Sequence, residues 1–391
     1  MPELRIGVVG VGQRAGVATL ANRPGTARVV SCADPDPRGR ADAARLFGGA
    51  AVHSSSEEML ADELDAVFVL TPDQAHTAPV LEFLAAGVAV FVEKPLAIGI
   101  EDCDAILAAA AKTGTRLFVG HNLRHLPVLR RMRALIDEGV IGRVKSVWCR
   151  HFVGHGGDYY FKDWHAERAN TTGLLLQKGA HDLDVVHWLA GGFSRRITGL
   201  GGLTVYGANP RREADAAGRR MTDWFDRSVW PPSALTGLNP VIDVEDLSLV
   251  LSELDNGVLA SYQQCHYTPD YWRNYTVIGD EGRMENFGDG IQGDDALIRV
   301  WNRGRSGYRA EGDLNLPIPP EPGGLHGGAD AALVTEFLRF VAEGGAIETS
   351  PVAAREAVAA GVAATESLRS GGRPVEVPPV DPAVLRYFGA A

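Results

Sequence analysis

Leu4-Arg5-Ile6-Gly7-Val8-Val9-Gly10-Val11-Gly12-Gln13-Arg14-Ala15-Gly16 is the stretch on which the fold turns. An apolar run reads as a short strand, stops at glycine, and passes through G-x-G-x-x-A into a helical pattern. The glycines let the backbone bend sharply and approach a pyrophosphate, whose charge is met by the N–H groups of the helix start. The motif alone is common; its place between strand and helix gives it weight. The next apolar run, residues 27–33, ends at Asp34, 22 residues after Gly12. An acid there can bond both hydroxyls of an adenosine ribose, whereas a 2′-phosphate would meet like charge. NAD is therefore expected rather than NADP, with Arg38 as the side chain that could turn toward a phosphate.

Outward from this turn, strand and helix patterns alternate. Helical spacing over 38–47, 76–86 and 101–112 separates apolar runs at 65–70, 88–92 and 116–119. Such alternation predicts a doubly wound parallel sheet covered on both faces. After residue 123 the pattern changes. A helix over 128–138 precedes longer alternating strands at 144–152, 246–254, 258–266, 271–278, 282–287 and 297–301, with Asp255-Asn256-Gly257 as a strong hairpin signal. Helices are expected over 173–189, 331–342 and 353–368. The reading is α/β: a dinucleotide-binding Rossmann domain over 1–122, then an α+β domain over 123–391 with a large, open, mainly antiparallel sheet. The polar stretch 209–240 is long for a plain loop, which suggests a functional flap or an oligomer contact.

A chain of 391 residues is too long for one small core, and 45% apolar with 22% charged residues is ordinary for a globular protein. A net charge of −11 argues against nucleic acid as a partner and offers no polybasic segment for anionic lipid. Arg130, Arg131 and Arg133 read as a solvated helix face. Cys32, Cys103, Cys149 and Cys265 form no C-x-x-C pair, so neither a disulfide framework nor a zinc spacing is present. A reducing, cytoplasmic setting is expected. The chain enters its first strand without a charged leader, and no apolar run reaches bilayer-spanning length.

Two constellations carry chemistry. Glu93-Lys94-Pro95 follows a parallel strand, at the edge where open α/β sheets bind ligands. A lysine there can hydrogen-bond a substrate oxygen and share in moving its proton; the bland alternative is a lysine on a surface loop. The helix beginning near Gly173 carries Gln177, Lys178, His181, Asp182 and Asp184, at three- and four-residue spacings that make neighbours on a helix surface. Histidine suits proton transfer near neutral pH, although a core histidine would look the same. A metal is not expected, because His187 points elsewhere and Lys178 would repel a divalent ion. The stretch 154–164 is rich in glycine and aromatics, and His155, Asp158, Tyr160 and Trp164 could meet the apolar faces and hydroxyl rims of a sugar; they could equally pack a structured loop. Asn122 and Arg124 are candidates for cofactor or substrate contact, or for a bridge between domains.

Gly10-x-Gly12, Thr71-Pro72 followed by His76, Glu93-Lys94-Pro95, and the glycine-rich helix with His181-x-x-Asp184 together resemble the Gfo/Idh/MocA family of sugar and inositol dehydrogenases. The resemblance runs over nearly the whole chain, including Asn286-Phe287-Gly288 and the Glu336-Phe337 helix. It implies the two-domain architecture above, a homodimer or homotetramer formed through the large sheet, and a polyol or sugar substrate. With the turn chemistry, it gives NAD contacts at Gly10, Gly12, Gln13, Arg14, Asp34, Arg38, Thr71, Pro72, His76, Glu93, Lys94 and Asn122. It implies that Lys94 lies by the nicotinamide and the reacting oxygen, and that His181 serves proton transfer or substrate orientation. Arg124, His155, Asp158, Tyr160, Trp164, Gln177 and Asp184 make up the expected substrate contacts. Many members place an aspartate four residues before the histidine; here that position is Gln177, which cannot exchange protons, and Lys178 follows it. Lys178 therefore joins Lys94 and His181 as a catalytic candidate. The rival readings are an NAD-dependent glycosidase that oxidises its sugar transiently, and a regulator that binds NAD or sugar without turnover, against which the retained Lys94 and His181 weigh.

Overall fold

Apolar runs bounded by glycine become strands here wherever both faces can be covered. The computed structural model describes residues 2–389 except 216–217, 227, 292–294 and 320–324. It divides into two units.

In the first unit, β1 (Leu4–Val9), β2 (Ala27–Ala33), β3 (Ala51–His53), β4 (Ala66–Val69), β5 (Ala89–Glu93) and β6 (Leu117–Gly120) form a sheet in the order β3-β2-β1-β4-β5-β6. Every pairing is parallel. All residues of β4 and β5 are buried, as a parallel sheet with helices on both sides requires. The helix Pro37–Leu46 starts with proline in its first turn, and the Asp36 side chain accepts from the Arg38 N–H. Ile100–Thr113 has Glu101 and Asp102 in its first turn and ends at Gly114 with φ +70°.

The expected division at residue 122 needs a correction at its far end, because 328–358 and 379–391 belong to the first unit. The reason is packing. Phe337, on the helix Ala329–Glu343, sits edge-on to Phe68 and Phe91 with centroids 5.0 and 5.4 Å away, and 5.5 Å from Phe118. Without that helix this aromatic face of the sheet would lie bare.

In the second unit, β7 (Val144–Val153), β8 (Ser194–Gly202), β9 (Leu247–Leu254), β10 (Leu259–Cys265), β11 (Tyr271–Gly279), β12 (Arg283–Phe287), β13 (Ala296–Trp301), β14 (Leu314–Ile318) and β15 (Val375–Glu376) form one sheet. Its order is β14-β13-β12-β11-β7-β10-β9-β8-β15, antiparallel except where β10 meets β7. Gly257, at φ +80°, turns β9 into β10 as the hairpin signal predicts. Strand alternation sends Val250 and Leu254 inward and leaves Leu249 and Leu251 exposed.

Four strands escape the sequence reading. β3 and β15 are three and two residues long. β14 carries Pro317 at the sheet edge. β8 holds Gly199, Gly201 and Gly202, poor strand formers; at Gly199 a Cβ would stand 2.6 Å from the Ala364 carbonyl oxygen, so the helix Pro351–Arg369 lies directly on this strand. The helix expected over 173–189 is two pieces, Leu174–Gln177 and Gly179–Ala190, joined at Lys178. Among its described residues, the stretch 209–240 holds short helical turns at Met221–Trp224 and Pro232–Ala234. The adjoining Tyr206 stacks on Phe161 at 4.2 Å. Among the described residues, no helix is long and apolar enough to cross a membrane, and no group of three or more His, Cys, Asp or Glu could hold a metal.

Candidate active site

At the first turn Gly10 has φ +85°, and a Cβ there would lie 2.8 Å from the Thr71 backbone nitrogen. At Gly12 a Cβ would meet nothing within 4 Å, so the backbone faces open space where a pyrophosphate is expected. Asp34 is tied to this turn: one carboxylate oxygen accepts from the Val11 N–H at 2.7 Å and the other from the Asp36 N–H at 2.8 Å. Gly39 lets the next helix close on it, since a Cβ there would fall 2.3 Å from the Asp34 carboxyl carbon. Arg38 is exposed and paired with Asp36 at 3.2 Å.

Glu93, Lys94 and Pro95 follow β5. The Lys94 N–H donates to Glu93 Oε2 at 3.1 Å, and the Lys94–Pro95 peptide is cis. Arg14 reaches over from the glycine turn and donates to Glu93 Oε1 from Nε at 2.8 Å and from Nη2 at 2.5 Å. Its Nη1 meets Asp330 Oδ2 at 3.1 Å, and the Asn122 amide donates to Asp330 Oδ1 at 2.8 Å. Burial works against the Arg14 cation, but Glu93 and Asp330 outweigh it and raise its pKa. His76 is fully buried, with Nδ1 2.8 Å from the Pro95 carbonyl and Nε2 3.0 Å from the Thr71 carbonyl. It fastens the loop after β4 to the Lys94–Pro95 turn. Thr71 Oγ1 and Asn122 Oδ1 are buried without a hydrogen-bond partner among the described residues. Two unmet polar atoms at the C-terminal edge of a Rossmann sheet, beside an open glycine turn, suit the amides and hydroxyls of a dinucleotide. Gln13, Gly12 and Arg14 stand on the turn itself, and Pro72 follows Thr71 on the loop that Gly10 closes against.

In the second unit, Gln177, His181, Asp182 and Asp184 are buried and Lys178 is half-buried. Lys178 Nζ lies 6.0 Å from the Tyr160 ring centroid. The edges of His165 and His266 meet the same ring at 5.5 and 5.0 Å. Asp182 is fully buried. It accepts from the Tyr262 hydroxyl at 2.8 Å, the Tyr275 hydroxyl at 2.6 Å and His151 Nδ1 at 2.8 Å, and pairs with Arg273 at 3.0 Å. Burial would raise its pKa, but Arg273 and His151 hold it far below the usual carboxylate range. The same burial, with Arg273 close by, lowers His151 to about 3. Asp182 is thus an anchor for the helix. Arg124 grips Asp184 with both ends of its fork at 2.8 and 2.7 Å, fully buried. His187 turns to the Ser194 hydroxyl at 2.8 Å, away from His181.

The 154–164 stretch is a turn and a short helix, Gly157–Tyr160. Asp158 is buried in an ion pair with Lys162, and burial raises its pKa. His155 has φ +51°, uncommon without glycine, and its ring meets Trp230 edge-on at 5.8 Å. Trp164 stacks on His165 at 3.7 Å. So the structure gathers Lys178, His181 and Tyr160 within one unit, pairs Arg124 with Asp184, and locks Asp158 to Lys162. Sequence reasoning missed His165, His266 and Trp230, of which His165 could have been suspected from its aromatic neighbours. It also missed His151 and Arg273, which sit on strands, and Asp330, which no local pattern marks.

Comparison with known proteins speaks to both units. The oxidoreductase family model with an NAD-binding Rossmann fold matches residues 4–121, and the model of its C-terminal alpha/beta domain matches 133–377. The chain belongs to the Gfo/Idh/MocA oxidoreductase family. Among curated Gfo/Idh/MocA relatives, the 1-carboxy-3-chloro-3,4-dihydroxycyclohexa-1,5-diene dehydrogenase of Comamonas testosteroni is 34% identical over 195 residues, 48% of each chain. The inositol 2-dehydrogenase of Burkholderia cenocepacia is 34% identical over 193 residues, 48% of this chain and 55% of its own. The chain thus spans about half the length of these relatives. GenD2 from gentamicin A biosynthesis, solved in complex with NAD, superposes with a TM-score of 0.73 at 25% identity, covering 97% of both chains.

Proposed function

We propose that this protein is an NAD-dependent dehydrogenase that moves a hydride to or from a carbinol carbon of a sugar, an inositol or a related polyol. The observation that carries it is the Asp34-latched glycine turn in the same unit as Lys94 at the end of β5. NAD, when bound, supplies the hydride acceptor at its nicotinamide ring. Gly10, Gly12 and Gln13 would hold its pyrophosphate, and Asp34 its ribose. Thr71, Pro72, His76, Glu93 and Asn122 would shape the nicotinamide end, with Arg14 bracing it. Arg38 stays in reserve for a 2′-phosphate, so NADP is the second choice.

Lys94 hydrogen-bonds the reacting oxygen and offsets its developing alkoxide charge. His181 takes or returns the hydroxyl proton, and Lys178 stands in for the aspartate that Gln177 replaces. Tyr160, Trp164 and His155 line the substrate, while Arg124 with Asp184 and Lys162 with Asp158 hold that lining in place. Four free cysteines fit a reducing, cytoplasmic setting. Leu200, Leu249, Leu251 and Leu259 are all exposed, and their cross-strand pairing puts them on one face of the second sheet, which supports a homodimer or homotetramer through it.

The test is NADH absorbance with NAD and NADP separately, across sugars, inositols, glycosides and their keto forms. One polyol should yield NADH, and Lys94→Ala should cut the rate roughly 10²–10⁴-fold while NADH fluorescence still reports binding. Cleavage of a glycoside without net NADH would replace this reading with transient oxidation.

A further inference from the structure

Phe337 fixes the helix Ala329–Glu343 against the first sheet, and Asp330, two helical turns earlier, lies on the same face of that helix. Asp330 is buried in the first turn, where a carboxylate is favoured. Its Oδ1 accepts from the Asn122 amide at 2.8 Å and from Arg14 Nη2 at 3.3 Å, and its Oδ2 accepts from Arg14 Nη1 at 3.1 Å. Asn122 is 1% exposed, yet its Oδ1 has no hydrogen-bond partner among the described residues.

The Asp330 contact settles which way the amide faces. A carboxylate only accepts, so the Asn122 atom against it must be the nitrogen. Turning the amide over would set oxygen against oxygen and strip Asp330 of a donor. Oδ1 is thereby held on the side away from Asp330 as a fixed acceptor, and a buried acceptor is costly to leave unmet.

Sheet order places this acceptor along the cofactor. Asp34 follows β2, the glycine turn follows β1, and β4, β5 and β6 lie on the other side of β1. A dinucleotide with a ribose at Asp34 and its pyrophosphate at the turn has its nicotinamide half over β4 to β6. Asn122 stands two residues past Gly120, which ends β6 and pairs with Glu93. In this order β6 is the third strand from β1, about 14 Å away at the usual strand spacing. That reach suits the carboxamide at the far end of the nicotinamide rather than the ribose beside the pyrophosphate. The carboxamide N–H groups are donors, as a fixed acceptor requires.

We infer that Asn122 Oδ1 accepts a hydrogen bond from the nicotinamide carboxamide of NAD, and that Asp330 is the positioning residue that fixes Asn122 for it. This rests on the dehydrogenase reading above for the cofactor alone, and binding tests it without turnover. Calorimetric titration of the full chain should compare three ligands. They are NAD, acetylpyridine adenine dinucleotide, whose methyl ketone has no N–H, and ADP-ribose, which has no nicotinamide. The wild type should bind NAD about tenfold or more tighter than the acetylpyridine form. Asn122→Ala should bring the two within about twofold. Asp330→Asn can donate to Asn122 and so lets its amide turn over; it should shrink the ratio at least about threefold. Both variants should bind ADP-ribose within about twofold of the wild type, which a generally loosened fold would not do. Equal binding of the two dinucleotides by the wild type, or a preference that survives Asn122→Ala, overturns the carboxamide bond. A fall in ADP-ribose affinity as large as that for NAD also overturns it, in favour of a ribose contact or a packing role. An unchanged ratio in Asp330→Asn overturns the positioning role. NADH production from a polyol without the preference would leave the dehydrogenase standing and the carboxamide bond refuted. The preference without NADH from any compound would do the reverse.

Discussion

At the residue scale, the acid/base set departs from the arrangement the family resemblance implies. Gln177 is buried and cannot exchange a proton, so the proposed mechanism gives acid/base work to Lys178, half-buried at the joint between two helices, and to His181. Lys178→Met should lower turnover roughly 10²-fold or more and change the shape of the pH–rate profile. Wild-type rate and profile in that variant would remove Lys178 from the catalytic set. A different pair of residues makes stability depend on pH. His151 and His187 are buried, and burial, with Arg273 beside His151 and Arg124 beside His187, lowers them to about 3 and about 4. Asp182 and Asp184 pull the other way and lose. Unfolded, both imidazoles return to about 6.5. Their neutral forms therefore stabilise the fold fully above about pH 6.5, and that contribution falls as pH drops toward 4. The slope is at most about 1.4 kcal/mol per pH unit for each. Urea unfolding should give a smaller free energy at about pH 5 than at about pH 7.5, and His151→Gln should flatten the difference. Equal stability at both pH values would show that these rings are not held neutral.

At the element scale, the short helix Leu174–Gln177, which leads into Lys178 and the helix of His181, begins from an unusual turn. Thr172 has φ +64° and ψ −46°, a region that a β-branched residue avoids. Its carbonyl accepts from Arg369 at 2.7 Å, and Arg369 is itself paired with Glu245 at 2.8 Å. The following Gly173 lies under the same arginine, where a Cβ would stand 3.2 Å from Nη2. The clamp keeps the backbone in a conformation it would otherwise leave. Thr172→Gly should remove the strain and stabilise the fold by about 1 kcal/mol net of glycine's own entropy. Turnover should fall at the same time, because the helix start is no longer forced into place. A lower unfolding midpoint in this variant would mean that Thr172 contributes packing instead of strain. None of this is visible in the sequence, where 173–189 reads as one continuous helix.

At the scale of the whole molecule, the exposed leucines of the second sheet are the feature most in need of cover. Leu251 is 65% exposed, and Leu259 and Leu200 are 59% and 58% exposed. Leu200 pairs directly with Leu249, and Leu251 with Ser261 two residues from Leu259, so the four form one apolar patch. A net charge of −11 keeps copies apart in general, so a specific self-contact must supply apolar burial to win. Light scattering should find a dimer or tetramer. Leu251→Lys with Leu259→Lys should shift it to monomer, at a cost to folding of less than about 1 kcal/mol if the patch is solvent-facing in the monomer. A monomeric wild-type protein would refute the oligomer.

The sequence alone determined what depends on near neighbours. The strand–turn–helix of the glycine motif, the Asp34 terminus of β2, the hairpin at Gly257 and the Lys94 position after β5 are set by local geometry and periodicity, and all are present. Tertiary structure decided what depends on distant partners. Phe337 joins the first sheet because that sheet's aromatic face must be covered. Asp330 meets Arg14 across 316 residues. Arg124 and Asp184, 60 residues apart, pair with each other because a buried charge needs a partner. Strands short or glycine-rich enough to lack a pattern of their own exist because neighbouring strands and the helix Pro351–Arg369 hold them.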